Sequence, residues 1–313
     1  MLHDRMTRRE VLVAGAAAML PLTAASAASA AGNPQPEPAL TVGIATLGFG
    51  DYTNRRLAEE LAAQGFRMVQ LFLNQTDSRY WKYNGRSDLS DLTAARCQEI
   101  ADAYRSAGIA IHSLGVYTNL IHPDEAERRA NLAYFEAMMK AARAMGVRNL
   151  ITEAGHYELE KPSSVAYHFQ EDVWKRMVAT AKELAQLAER HDVTVLFEPF
   201  FRGFLASAKR TRVFLEEVGS PRIRALLDPA NLLEVNDLNE MFEQLNAWID
   251  CLHAKDRKLH VDRGVPAGQG DLDYRKFVAL VARHTPKVPL ILEYVGASDY
   301  KQALAHLQNA MRP

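Results

Sequence analysis

Eight short apolar runs recur along this chain, each followed by a stretch with helical periodicity, and that alternation limits the possible architectures more than any other feature. The runs lie at residues 41–46, 67–73, 109–114, 147–152, 193–197, 223–227, 249–252 and 288–292. Their lengths suit buried strands, and turn residues separate them from their neighbours. Between them the spacing predicts helices over 53–64, 93–107, 123–145, 172–190, 211–218, 237–247, 273–284 and 299–311. Several end at a glycine, among them Gly65, Gly108, Gly146 and Gly219, as helices often do. The clearest is 123–145, with Leu132, Phe135 and Met139 on one stripe and Arg128, Arg129 and Lys140 left for water.

Strands separated by helices must pair in parallel, because each crossover returns to the same edge. Eight such units predict an α/β fold, a (β/α)₈ TIM barrel, as a single domain over residues 41–313. A doubly wound open sheet is the alternative, but Gly43, Gly48 and Gly50 after the first run lack the G-x-G-x-x-G spacing of its phosphate turn. Residues 75–91, bearing Tyr80, Trp81 and Tyr83, make a connection long enough to cover a site.

Residues 1–30 read as an export signal of the twin-arginine type: paired Arg8 and Arg9, a weakly apolar stretch to Leu22, then small residues with two A-x-A sites. The apolar part is too short to span a bilayer, and no Cys lies nearby to carry a lipid, so no stable membrane anchor is expected. Residues 31–40, with Pro34, Pro36 and Pro38, read as a stiff linker. A periplasmic or secreted location follows as the expectation. The formal net charge of −1 gives no sign of a nucleic-acid partner, which favours a basic face. Cys97 falls in a helical pattern and Cys251 in a core strand, so both read as small buried hydrophobes. Whether the chain forms a homo-oligomer is open at this level.

The chemistry lies at the ends of the last four runs. Run 193–197 stops at Glu198, run 223–227 at Asp228 and run 288–292 at Glu293, while 249–252 delivers His253. Alternation along a strand puts Leu196, Leu226, Cys251 and Ile291 on the same faces as those four polar residues, and that face is read as the barrel interior. Pro199 and Pro229 lack the N–H that would continue a ladder, so two strands should stop there. Parallel strands deliver their last residues to one rim, where barrel enzymes place their sites. Three carboxylates gathered there would be driven to hold protons unless a cation sat among them. Three oxygen donors and one imidazole suit a single six-coordinate divalent ion, Mn²⁺, Mg²⁺ or Co²⁺, with Zn²⁺ as a further candidate.

The order Glu198 in LFEPF, Asp228 in LLDPAN, His253 in LHAKD and Glu293 in LEY resembles the xylose isomerase-like barrel superfamily, in its sugar isomerase/epimerase branch. The segments SLGVYTNLIHPD at 113–124 and GQGDLDY at 268–274 resemble that branch too, and the likeness runs through everything after residue 40. It implies a sugar or keto-sugar substrate held on the metal through adjacent oxygens. It also implies that Glu198 and Glu293 act as acid and base. The ketose epimerases of this branch carry a further Glu after the first ligand and a His three residues after the Asp; here Phe204 and Asn231 stand at those spacings.

Further candidates for substrate contact are Glu153, His112, Asn231 and Lys255, with Gln70 and Asn74 behind them and Tyr80, Trp81, Tyr117 and Phe200 as aromatic cover. Asp256 is read as a structural partner of Lys255 or Arg257. Four functions compete: isomerisation or epimerisation by proton abstraction next to a carbonyl; elimination from a 3-keto-glycoside by the same first step; an abasic-site endonuclease built on zinc; and a sugar-binding barrel without chemistry. The first is the main expectation. Acidic balance and the export-like segment weigh against the endonuclease.

Overall fold

The computed structural model describes residues 40–159, 166–261 and 263–312. The export signal and nearly all of the linker expected from the sequence lie outside the described residues.

In chain order the elements are β1 (Val42–Ala45), α1 (Asn54–Ala63), β2 (Met68–Leu71), α2 (Ala94–Ser106), β3 (Ala110–Gly115), α3 (Glu125–Ala144), β4 (Asn149–Thr152), α4 (Glu171–His191), β5 (Thr194–Phe197), α5 (Ala208–Val218), β6 (Ile223–Leu227), α6 (Leu238–Leu245), β7 (Ile249–Ala254), β8 (Asp256–Arg257), β9 (Gly264–Val265), α7 (Tyr274–His284), β10 (Leu290–Leu292) and α8 (Tyr300–Ala310). Eight strands close into a barrel in the order β1-β10-β7-β6-β5-β4-β3-β2, which excludes the open sheet. The pairs are parallel, for example Val195 opposite Ile223 and Ile291 opposite His253. The two-residue strands β8 and β9 form a separate antiparallel ribbon after β7 that the sequence pattern did not signal.

Helix boundaries follow local chemistry. Thr53, Thr93, Asp124, Ser207, Asp237 and Asp273 each cap a helix by accepting a backbone N–H from its first turn. At the other end, Gly146 follows α3 with φ of 79° and Gly219 closes α5 with φ of 66°, left-handed values that a side chain would disfavour.

Two apolar clusters build the core. Ala45, Phe72, Tyr117, Ile151, Leu196, Leu226, Cys251 and Ile291 form one, drawn from each barrel strand or its immediate extension. Along β5 the neighbours Val195 and Phe197 belong instead to the larger cluster that packs strands on helices. The face carrying Leu196, Leu226, Cys251 and Ile291 is therefore the interior, as the alternation predicts. Both cysteines are free and buried, Cys251 inside the barrel and Cys97 on α2. Among the described residues no helix is long and apolar enough to cross a membrane.

Candidate metal centre and active site

Each of the four polar strand ends is placed by its own local sequence. β5 ends at Phe197 and Pro199 prevents its extension, leaving Glu198 on the rim with its N–H on Thr152 O at 2.8 Å. Asp228 follows β6 and caps the 3-10 turn Pro229–Asn231: its Oδ1 accepts Ala230 N–H at 2.9 Å, which leaves Oδ2 for the interior. His253 lies within β7, two residues beyond the interior Cys251. Glu293 follows β10 and is bonded through its N–H to Ala254 O.

These four side chains are buried, and one ligand atom from each lies within 4.8 Å of the others. His253 Nδ1 is 3.3 Å from Glu198 Oε1, 3.4 Å from Glu293 Oε2 and 4.0 Å from Asp228 Oδ2. Gln70 Oε1 accepts from His253 Nε2 at 2.9 Å, so the ring donates outward and turns Nδ1 to the centre. Tyr117 Oη donates to Glu198 Oε2 and Asn231 Nδ2 to Glu198 Oε1, both at 2.8 Å, which fixes that carboxylate. Lys255 Nζ stands 2.6 Å from Asp228 Oδ2 and 3.1 Å from Glu293 Oε2. Its ammonium also lies 4.4 Å from the Tyr294 ring centroid.

The electrostatics follow from burial and crowding. Desolvation works to lower the His253 pKa, but the Glu293 and Glu198 charges outweigh it and push it up to about 10. Desolvation raises Asp228, with Lys255 opposing. Glu293 goes the other way: burial would raise it, yet His253 and Lys255 hold it well below the usual carboxylate range. The cluster thus draws positive charge inward.

Asp228 Oδ2, His253 Nδ1 and Glu293 Oε2 are buried atoms that make no hydrogen bond of good geometry, although the Lys255 ammonium lies against the two carboxylate oxygens as an ion pair. Buried polar atoms rarely lack well-formed hydrogen bonds, and here the three that do belong to one group. Ligands on opposite sides of a small divalent ion sit about 4.2 Å apart, twice a bond of about 2.1 Å. The observed spread matches that scale, so Glu198, Asp228, His253 and Glu293 could hold a metal ion.

Above the cluster opens a cavity of about 310 Å³ lined by Leu47, Phe72, Trp81, Tyr83, Tyr117, Glu153, Glu198, Phe200, Asn231, Lys255, Arg257, Glu293 and Tyr294. Glu153, which follows β4, faces it as expected, and Tyr83 Oη donates to Glu153 Oε2 at 2.9 Å. Burial first, and the Glu198 charge second, push the Glu153 pKa up to about 8.

Several expectations change. His112 is not at the site: β3 runs on to Gly115, and the His112 ring lies near the strand's start, against Ser113 Oγ at 3.1 Å and Asn149, the first residue of β4. Asn231 lines the cavity, but its amide is engaged by Glu198, and Gln70 serves His253 rather than a sugar. Asn74 is occupied with Leu47 O and Gln75 Nε2. Tyr80 packs in the outer core while Trp81, Tyr117 and Phe200 do line the cavity. Phe204 is buried against Trp174 and Phe214, away from the cluster. Asp256 organises the loop by accepting the N–H groups of Arg257, Gly268 and Leu272, not by pairing with the Lys255 ammonium. Tyr294 and Arg257 reach the cavity without having been picked out as site residues. Arg257 is held over Phe200 and Phe201 and donates to Ala230 O. Tyr294 has φ of 58°, a left-handed conformation with no local sequence signature.

A closed parallel barrel with a buried acid-and-imidazole cluster at the C-terminal mouth, roofed by a ligand-sized cavity, defines the class of barrel that carries its site on the strand tips. The chain belongs to the xylose isomerase-like TIM barrel family, whose model matches residues 58–310. It is 26% identical over 230 residues to the L-ribulose-5-phosphate 3-epimerase UlaE of Shigella boydii, covering 71% of this chain and 74% of that protein. Among solved structures it is similar to the probable 3-DHS dehydratase AsbF of Bacillus anthracis, with a TM-score of 0.69, 18% identity and coverage of 87% of this chain and 99% of that one. It is also similar to the 3-keto-D-glucoside 4-epimerase YcjR of E. coli, with a TM-score of 0.68, 17% identity and coverage of 86% and 99%. The two structural likenesses establish the fold.

Proposed function

We propose that this protein is a divalent-metal-dependent enzyme that removes a proton from the carbon next to a carbonyl of a sugar or keto-sugar, in the manner of a sugar isomerase or epimerase. The observation that carries this reading is the convergence of buried Glu198, Asp228, His253 and Glu293, one ligand atom from each within 4.8 Å of the others, beneath a cavity large enough for a sugar. The relatives support it: in L-ribulose-5-phosphate 3-epimerase and 3-keto-D-glucoside 4-epimerase the carbon named adjoins the carbonyl carbon.

A divalent ion held by the four side chains, Mn²⁺, Mg²⁺ or Co²⁺ before Zn²⁺, supplies Lewis acidity that makes the neighbouring C–H easier to ionise. The chain does the rest. Glu198, pinned by Tyr117 and Asn231, and Glu293, whose Oε2 faces the centre, are the groups placed to take and return the proton. Lys255 holds its ammonium against Asp228 and Glu293, where it can also meet a substrate oxygen. Trp81, Phe72 and Tyr117 form an apolar wall that limits water. The test is incubation of metal-loaded protein with a panel of keto-sugars in D₂O: deuterium entering the carbon next to the carbonyl is expected. A full panel without exchange would overturn the reading.

We further propose that the enzyme works after export through the twin-arginine-like segment at residues 1–30. Cell fractionation should recover a shortened chain outside the cytoplasm, and replacement of both Arg8 and Arg9 by Lys should stop that. A full-length cytoplasmic product would contradict it.

A further inference from the structure

Glu153 is a cavity carboxyl that the four-residue cluster does not include. Among the described residues, its side chain has one hydrogen bond, from Tyr83 Oη to Oε2. The phenol is fixed in turn by packing on Tyr117 and His156, with ring centroids 6.1 and 6.4 Å away. In a protonated carboxyl the carbonyl oxygen is the better acceptor, so a donor bound to one oxygen favours the proton on the other. Tyr83 therefore leaves Oε1 of this cavity-lining carboxyl as the oxygen free to carry the proton. Burial raises the pKa to about 8, which keeps the acid form populated near neutral pH.

Inverting one carbon requires one base and one acid, and Glu198 and Glu293 already fill those places. A third, protonated carboxyl has no task in that reaction. It has one in elimination, where an oxygen leaving from the carbon β to the carbonyl must pick up a proton.

We propose that Glu153, oriented by Tyr83, is the general acid that protonates an oxygen leaving group β to the carbonyl, so that preferred substrates are keto-sugars bearing an alkoxy or hydroxyl group there. The proposal rests on the proton abstraction set out above and adds the second half of the reaction. The base takes the C–H proton and that electron pair becomes the enolate. As the carbonyl re-forms, the pair becomes the C=C bond, the C–O bond breaks with its electrons on oxygen, and that oxygen takes the proton from Glu153 Oε1. The products are an unsaturated keto-sugar and an alcohol or water. Glu153 is left as carboxylate and regains its proton from water while the base loses one, and nothing is oxidised or reduced.

The test compares wild type, Glu153→Gln and Tyr83→Phe on two probes, the methyl and the 4-nitrophenyl glycosides of 3-ketoglucose. It follows deuterium exchange at C2, release of methanol or nitrophenol, and bound metal. Glu153→Gln should slow methanol release about 100-fold more than it slows either C2 exchange or nitrophenol release, the latter because that leaving group needs no proton, and should keep metal content. Tyr83→Phe should show the same pattern at roughly 5-fold. Equal losses on both probes, or C2 exchange lost as fully as methanol release in Glu153→Gln, would overturn the assignment. Wild type that exchanges at C2 but releases neither aglycone would sink this proposal alone, whereas wild type with neither exchange nor release removes the proton abstraction beneath it.

Discussion

His253 and His112 sit on strands of one barrel, yet the two ends of that barrel drive them in opposite directions. At the C-terminal mouth, burial would lower the His253 pKa, but facing carboxylates carry it up to about 10. Toward the other end, burial pushes His112 down to about 4, with the Asp250 charge only partly opposing. There Asp250 is matched by Arg224 through two bonds of 3.0 Å, and Asn149 and Ser113 serve the imidazole. At the mouth three buried ligand atoms make no hydrogen bond of good geometry, two of them lying against the Lys255 ammonium. Charge near the strand starts is cancelled in a local pair, while at the strand tips three carboxylates, an imidazole and the Lys255 ammonium crowd one buried cluster that could hold a cation.

Metal removal should expose this contrast most strongly. Exhaustive chelation is expected to abolish C–H exchange and to lower stability by about 2.7 kcal/mol relative to protein at metal concentrations 100-fold above Kd, read by thermal melts. Exchange that survives chelation would erase the distinction between the ends. Next comes Gln70→Leu, which frees His253 Nε2 and should weaken metal binding or turnover by about 10–100-fold. An unchanged affinity would mean that the imidazole needs no support from across the barrel.

The smallest effect belongs to His112. Its folded pKa lies below the unfolded value of about 6.5, so the unfolded chain binds the proton more readily. Stability from this group is present above pH 6.5 and is lost as pH falls toward 4. His112→Gln should flatten that acid limb in denaturant titrations and leave metal content alone; an identical limb would remove His112 from the contrast.

What could be read from the sequence follows the same division. Glu198 and Asp228 were visible because an apolar run ends on a carboxylate and a proline stops the strand, and His253 because it shares the parity of Cys251. His112 misled because it lies mid-run rather than at the strand's end, and β3 slips register there, with Val69 opposite Ile111 and Gln70 opposite Ser113, an irregularity that no local pattern announces. The supporting contacts were out of reach: Gln70 and His253 lie 183 residues apart, and Tyr117 and Glu198 lie 81 apart. Nothing local announces such pairs before the barrel closes. The ribbon of β8 and β9 is too short to carry a period. Helix α5 begins at Ala208, before the expected 211, because Ser207 rather than a later residue is its cap.

The most direct measurement of the central claim is metal stoichiometry by mass spectrometry after equilibration with Mn²⁺ and desalting, for wild type and His253→Ala, with circular dichroism to establish that both are folded. Close to one ion per wild-type chain and essentially none in the folded variant is the expected result. Wild-type metal content in His253→Ala would contradict a centre shared by the four strand tips.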